Sequence, residues 1–266
     1  MSGVPSVTSS VPVRTNPVLD LLSWFGELGI FIWRVLRAAV TPPFEFGEFV
    51  RQLDEIGAKS LPLIAAAGSA IGVVLALEAR NSLVRFGAKS LLPATVVFSV
   101  VTEMGPILTG LIVSGRVGAG IGAELAAMKV TEQIDAIEAS SVDPYKLLAA
   151  TRISACIVAL PLLTLAASFC GVFMGWVAAT LIEPISLVRF INTGFKGARF
   201  SDFLPPTFKT CVYGMIIGTV ACFQGMRAKG GAQGVGSAAT TSVVLSSLFV
   251  ILADVILVKV ILLLFP

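Results

Sequence analysis

Three ionisable residues stand inside apolar stretches of the sequence: Glu103, Lys209 and Asp254. A charged side chain at the centre of a membrane-spanning helix costs about 3 kcal/mol, so such residues face the protein interior or a water-filled cavity. There they can form ion pairs that hold helices together, or they can provide a polar feature in a substrate cavity or gate. The residues alone favour neither role over the other.

A second set of charges is concentrated between Glu103 and Pro144, whereas most of the remaining chain is apolar. Within it, apolar residues recur at i, i+4 and i+7 and acidic residues at i, i+3 and i+6, which places them on two faces of a helix. We expect a short helix over residues 124–139 that docks on a basic partner at the membrane surface; the simpler alternative is a solvated loop. The apolar face is Val130, Ile134 and Ile137, the acidic face is Glu132, Asp135 and Glu138, and Glu124 and Lys129 complete the candidate contact residues.

The sequence lacks the residues and motifs that several common kinds of active site require. The chain has no histidine, which excludes histidine acid–base catalysis and most metal sites. No G-x-x-x-x-G-K-[ST] motif occurs, so no P-loop binds ATP here. Four cysteines lie in apolar segments without a C-x-x-C pair, which indicates neither a zinc site nor a disulfide framework. We expect no enzyme activity, no metal and no cofactor.

Composition places the chain in a membrane. It is 56% hydrophobic and 13% charged, with a mean hydropathy of +0.92, values that exclude a soluble globular domain. The formal net charge is +3, and no basic cluster is interleaved with aromatic residues, so nucleic-acid binding is not expected.

Five segments are apolar and long enough to cross a bilayer, which predicts an all-α integral membrane protein. Pro161 predicts a kink within the third. Glycine pairs four residues apart predict close helix packing: Gly68/Gly72, Gly171/Gly175 and Gly214/Gly218. The predicted spans are Leu61 to about Ala79, Leu91 to about Ser114, Leu147 to Ile182, Leu204 to Phe223, and Ala238 to Phe265.

Residues before the first span have a different character. Residues 1–17 are rich in Ser, Val, Pro and Thr and predict a loose tail. Val18 to Val40 is aromatic but interrupted by charges, which favours an interfacial helix and leaves a sixth span as the alternative. Thr41 as N-cap and Pro42 at the first helical position predict an amphipathic helix over 44–58.

The distribution of cations predicts the topology. With five spans, about eleven Lys and Arg lie on the side of the N-terminus and of the Arg116–Arg152 segment, and six lie on the other side. The positive-inside rule therefore places the N-terminus and that segment in the cytoplasm, and Pro266 outside. If Val18 to Val40 also spans, the N-terminus moves outside.

The charged stretch also resembles a known family. The run GPILTGLIVSGRVGAGIGAELAAMKVTEQIDAIEASSVDP, ending at Pro144, is similar to the signature of MlaE/YrbE-type permeases. These are the membrane subunits of ABC transporters that move lipids with MCE-domain proteins. The similarity continues through PLLTLAASFCG at 161–171 and GVGSAATTSVVLSSLFVILAD at 234–254, and covers about the last two-thirds of the chain.

The resemblance gives the candidate residues roles. The family carries a Glu just before a Gly-Pro, a Lys in the fourth span and an Asp in the fifth, and Glu103, Lys209 and Asp254 match these positions. It implies that residues 124–139 form a cytoplasmic coupling helix between spans two and three, which passes force from an ATPase. Residues 1 to about 60 match the family only in general character. Together with the patterns above, the predicted organisation is a tail over 1–17, amphipathic interfacial helices over 18–59 and a transmembrane permease domain over 60–266.

The resemblance further implies a function and partners. The expected protein is a non-catalytic permease subunit of an ATP-driven lipid transporter, with phospholipid as the expected cargo and ATP hydrolysis on a separate ATPase. It implies a homodimer in the bacterial inner membrane, with an MCE-domain periplasmic protein and a possible STAS-domain subunit. The alternative is a stand-alone secondary transporter that couples ions through the same three intramembrane charges.

Overall fold

The computed structural model describes residues 17–42, 45–196 and 199–264, and these residues form helices and connecting turns without a strand. Five helical segments are long and apolar enough to cross a membrane, which confirms the predicted fold class. In chain order, spans 1 to 5 are Phe46–Arg85, Lys89–Val130, Tyr145–Ile182, Asp202–Met226 and Gly231–Leu264. The α-helices are α1 (Pro17–Val40), α2 (Phe46–Leu53), α3 (Leu61–Arg85), α4 (Leu92–Ser99), α5 (Gly105–Val113), α6 (Ala119–Val130), α7 (Gln133–Ala139), α8 (Thr151–Ile182), α9 (Leu187–Gly194), α10 (Phe200–Met226) and α11 (Gly231–Leu264).

Helix α1 lies outside the five spans. Phe31, Val35 and Ala38 recur at i, i+4 and i+7 and are buried, and α1 packs on the first turns of span 3. Its opposite side leaves apolar groups uncovered, including Trp33, which is 70% exposed. This pattern suits an interfacial helix, which stays a prediction. The predicted tail over residues 1–17 lies outside the described residues, apart from Pro17, the first residue of α1.

The predicted helix over 44–58 is α2 followed by a π-helical turn at Asp54–Ala58, and it continues into α3 as part of span 1. Thr41 does not cap it, contrary to the prediction. The Thr41 hydroxyl donates to the Ala38 carbonyl at 3.0 Å, at the end of α1. Such a bond to the preceding turn competes with capping of the next helix, and Glu45 occupies the N-cap position instead.

Span 2 is longer than the sequence predicts. The apolar segment was expected to end at Ser114, but the helix continues through a π-helical turn at Ser114–Gly118 and ends at Val130. Its last part, α6, packs against α10 and α11. A Cβ on Gly122 would lie 2.5 Å from the Ser242 hydroxyl. The small residues therefore let the helix approach its neighbours closely and do not form a loop.

The predicted helix over 124–139 is two helices. It breaks after Val130, where Glu132 adopts a left-handed backbone with φ of 61° before α7 begins. A non-glycine residue in that region is uncommon and does not continue an α-helix. The expected single apolar face of Val130, Ile134 and Ile137 is therefore lost, because helical spacing holds only within one helix.

The glycine pairs lie at helix contacts, as predicted. A Cβ on Gly68 or Gly72 of α3 would clash with the backbone of Ala167 or Gly171 on α8. The missing side chains let these two helices approach each other at backbone distance. Similarly close approaches occur at Gly175, Gly214 and Gly218.

Spans 4 and 5 differ in how much of each is buried within the chain. The most apolar window of span 4 is 61% buried within the chain, whereas that of span 5 is 11% buried. Span 4 therefore lies inside the bundle and span 5 at its edge. Span 5 also begins earlier than predicted, at Gly231 instead of Ala238, directly after Gly230, whose φ of 90° allows the tight turn from α10.

Candidate functional site

The three intramembrane charges meet at one point. Lys209 Nζ donates to Glu103 Oε2 at 2.9 Å and to Asp254 Oδ1 at 2.8 Å. Because these residues belong to spans 4, 2 and 5, the contacts join three spans. The Lys209 side chain is 2% exposed. Burial of that ammonium is tolerable because it is paired on two sides.

Tyr213 completes this charge cluster and was missed in the sequence. Its hydroxyl donates to the same Asp254 oxygen that accepts from Lys209. Tyr213 follows Lys209 by four residues in α10, so both side chains lie on one face of the helix. That spacing, in a chain with two tyrosines, is the signal that could have found it.

Glu103 is the most accessible member of the cluster. Its side chain is 37% exposed, compared with 12% for Asp254. It lies in a π-helical turn, Val100–Met104, a local change of register that is frequent at functional sites. The cluster carries two carboxylates for one ammonium, so it has unused capacity to accept hydrogen bonds or to interact with a cation.

Two arginines tie span 2 to its neighbours on the α7 side. The Arg152 side chain is 1% exposed and donates to Glu124 Oε1 at 2.8 Å and to the Leu148 carbonyl at 3.0 Å. Arg116 donates to the Ser60 hydroxyl at 2.5 Å. Glu124, predicted as a partner contact, thus has a partner within the chain. Half of its side chain remains exposed for another.

The other predicted contact residues divide between the core and the surface. Ile134 is buried in the main core and Ile137 packs against it, so the chain itself covers much of the apolar face of α7. Lys129 pairs with Asp135 at 2.6 Å and bridges the break between α6 and α7. The acidic residues that remain exposed are Glu132, Asp135 and Glu138.

This arrangement defines an integral membrane protein of the permease class: five spans, a charge cluster inside the bundle and an acidic helix pair at one end. In the part of the chain that the structure describes, no group of His, Cys, Asp and Glu could hold a metal ion. Residues 49–260 match the family described as Permease MlaE. The chain belongs to the MlaE permease family, which confirms the resemblance.

Similarity to individual proteins is consistent with this family assignment. The chain is 36% identical over 229 residues to a probable ABC transporter permease protein of Rickettsia typhi, covering 86% of this chain and 88% of the relative. It is 31% identical over 205 residues to one of Synechocystis, covering 77% and 78%. It is 28% identical over 229 residues to the chloroplastic protein TRIGALACTOSYLDIACYLGLYCEROL 1 of Arabidopsis thaliana, covering 86% and 64%. The chain is therefore an ABC transporter permease subunit, which disfavours the stand-alone secondary transporter.

Proposed function

We propose that this chain is the membrane-spanning subunit of an ATP-driven phospholipid transporter of the bacterial inner membrane. ATP is hydrolysed on a separate ATPase, and an MCE-domain periplasmic protein and a STAS-domain subunit complete the complex. Family membership supports the permease role, and the plant relative carries the name of a glycerolipid, which favours a lipid cargo. The observation that carries the proposal is the charge cluster of Glu103, Lys209, Asp254 and Tyr213.

The cluster suits passage of an amphiphile. Acyl chains can contact the apolar spans, but a polar headgroup that enters the bundle needs polar partners, because unpaired polar groups are costly there. The Lys209–Glu103 contact lies at the more exposed side of the cluster, whereas the Lys209–Asp254 contact is deeper. A headgroup can replace Glu103 on the ammonium while Asp254 and Tyr213 keep Lys209 in position.

Glu103 also supports a homodimer. A carboxylate that is 37% exposed within a span is not stable against lipid and requires protein or enclosed water beside it. A second copy of the chain supplies both. The edge position of span 5 leaves apolar surface for that contact. We expect two copies to enclose a lipid-sized path, for which one copy has too few spans.

The α7 end is the proposed ATPase contact. Exposed acidic side chains there suit a basic partner, while Ile134 anchors α7 in the core. Displacement of α7 would reach α6 through the Lys129–Asp135 contact. Helix α6 is the last part of span 2, and the same span carries Glu103. Movement of α6 at the surface can therefore reach the charge cluster along one continuous helical segment. The two π-helical turns in span 2 are the points at which it can deform.

Purification from the native membrane tests this proposal. The tagged chain would be extracted with its surrounding lipid, and proteins, lipids and total mass would be determined by mass spectrometry, with a tagged unrelated membrane protein as control. We expect two copies of the chain, an ATPase, an MCE-domain protein and enriched phospholipid. A single copy without an ATPase would overturn the proposal.

A further inference from the structure

A pocket at the end of the bundle opposite α7 is lined by more cationic residues than acidic residues. It lies between the ends of α3 and α8, the turn before α4, and α9, with a volume of about 300 Å³. Arg80, Lys89 and Arg189 line it, together with one acidic residue, Glu183. Three positive charges and one negative charge leave a formal excess of two.

The cations of this pocket are weakly engaged within the chain. Lys89 Nζ lies 3.7 Å from Glu183 Oε2, and both side chains are more than half exposed, which makes a weak ion pair. Among the described residues, the Arg80 and Arg189 side chains make no ion pair and no side-chain hydrogen bond. Two guanidinium groups with five N–H donors each therefore remain available to a ligand.

The surroundings of the pocket point to a lipid. On this side of the predicted membrane topology lie six Lys and Arg, and half of them line this one pocket. Close in the chain to the lining residues, Phe86 just after α3 is 84% exposed and Leu181 in the last turn of α8 is 83% exposed. Cations beside uncovered apolar side chains at the ends of spans are the arrangement expected at the level of lipid headgroups.

We propose that this pocket binds the phosphate-bearing headgroup of a membrane phospholipid. Arginine matches phosphate oxygens with two parallel N–H groups, and two residues that carry hydroxyl groups, Ser90 and Thr193, also line the pocket. The neighbouring apolar side chains contact the acyl chains. This site lies apart from the charge cluster of the bundle, and it does not rest on the proposed transport function because binding can be measured without an ATPase.

The test uses the purified full-length chain in detergent. Native mass spectrometry would compare titration with phosphatidylglycerol and with diacylglycerol of the same acyl chains, which lacks phosphate. The pocket variant is Arg80→Gln with Arg189→Gln. The control is Arg85→Gln with Lys196→Gln, which removes two positive charges from exposed positions at the same end. We expect the pocket variant to bind phosphatidylglycerol at least about tenfold more weakly, because the loss of even one charged hydrogen bond has about that effect, and the control to retain wild-type affinity.

Other outcomes would overturn the proposal. Equal weakening in the control would assign binding to net charge, and equal binding of diacylglycerol would assign it to apolar contact. Displacement of phosphatidylglycerol by inorganic phosphate, added at the same concentration as the lipid, would identify free phosphate as the occupant. If the double variant does not fold, Arg189→Gln alone, on the short exposed helix α9, should still weaken binding, and unchanged affinity there would contradict the site.

Discussion

Lys209 and Glu103 take part in the same cluster but differ in what they contribute. Lys209 is buried and pairs with both carboxylates, so removing it would leave like charges uncompensated inside the bundle. Glu103 is partly exposed, and the contacts of Lys209 with Asp254 and of Asp254 with Tyr213 do not depend on it. The structural and functional interpretations of the cluster can therefore be separated residue by residue.

Substitution of Glu103 by Gln should leave the fold intact and impair transport. The Gln oxygen can still accept from Lys209, but the negative charge is lost, so we expect thermal stability close to wild type and transport reduced about tenfold. The comparison is Lys209→Met, which breaks a buried pair and should cost about 3–5 kcal/mol. Thermal unfolding and lipid transport would be measured for both; normal transport by Glu103→Gln would assign the cluster a structural role.

The need of a single residue for a partner was predictable where its energetic cost depends only on the surrounding sequence. A charge inside an apolar segment is expensive wherever it stands, so the sequence identifies Glu103, Lys209 and Asp254 as residues that need partners. Their mutual contact was not predictable, because it depends on how three spans pack. The Arg152–Glu124 pair was missed for the same reason: its two residues lie on separate helices.

At the scale of elements, span 2 differs most from its prediction. Hydropathy ends the span at Ser114, yet the helix continues to Val130 because glycines and alanines there pack against α10 and α11. The break at Glu132 was also hidden, since a left-handed residue other than glycine leaves no clear sequence signal. Long-range packing, absent from local periodicity, decides both features.

The contact between α3 and α8 should be intolerant of one added methyl group. Gly72→Ala places a Cβ against the backbone of Gly171, which cannot move aside as a side chain can, so we expect a loss of about 1–3 kcal/mol. Gly29→Ala in α1 is the control, because nothing lies within 4 Å of its added Cβ and alanine favours a helix. Thermal unfolding followed by size-exclusion chromatography would measure both; equal stability of the two variants would contradict the close approach.

The exposed acidic surface of α7 should be required for ATPase association. Glu132→Lys with Glu138→Lys reverses two exposed charges and spares Asp135, which pairs with Lys129. We expect normal insertion but loss of the ATPase on co-purification, because like charges would then face a basic partner. The control, Glu78→Lys with Glu183→Lys, makes the same charge change at two exposed positions, in the second half of α3 and just after α8, toward the other end of the bundle. Full ATPase association by the α7 variant would show that this helix pair is an ordinary solvated segment.

At the scale of the molecule, the five spans were predictable and their arrangement was not. Apolar length alone predicts five crossings, and the structure has five such helices. The central place of span 4, in spite of its lower hydropathy of 1.2 against 2.8 for span 5, follows from its glycine contacts and from the polar partners of Lys209. Hydropathy reports transfer from water and does not distinguish a lipid-facing helix from a buried one.

Topology is tested by labelling single cysteines. In a chain whose four cysteines are replaced, Ser140→Cys should react from the cytoplasmic side and Phe86→Cys from the outside, since both positions are exposed and lie at opposite ends of the bundle. A membrane-impermeant maleimide on intact cells and on inverted vesicles separates the two sides. Labelling of position 140 from the outside alone would reverse the orientation.

ATP-dependent lipid movement by the reconstituted complex tests most directly whether this permease couples a partner's ATP hydrolysis to lipid transport. The purified complex in liposomes would be supplied with a fluorescent phospholipid, with ATP or a non-hydrolysable analogue, and with or without an ion gradient. We predict lipid movement with ATP alone, none with the analogue, and strong impairment in the Glu103→Gln complex. Lipid movement that needs no ATP and follows the ion gradient would contradict the account and identify a secondary transporter.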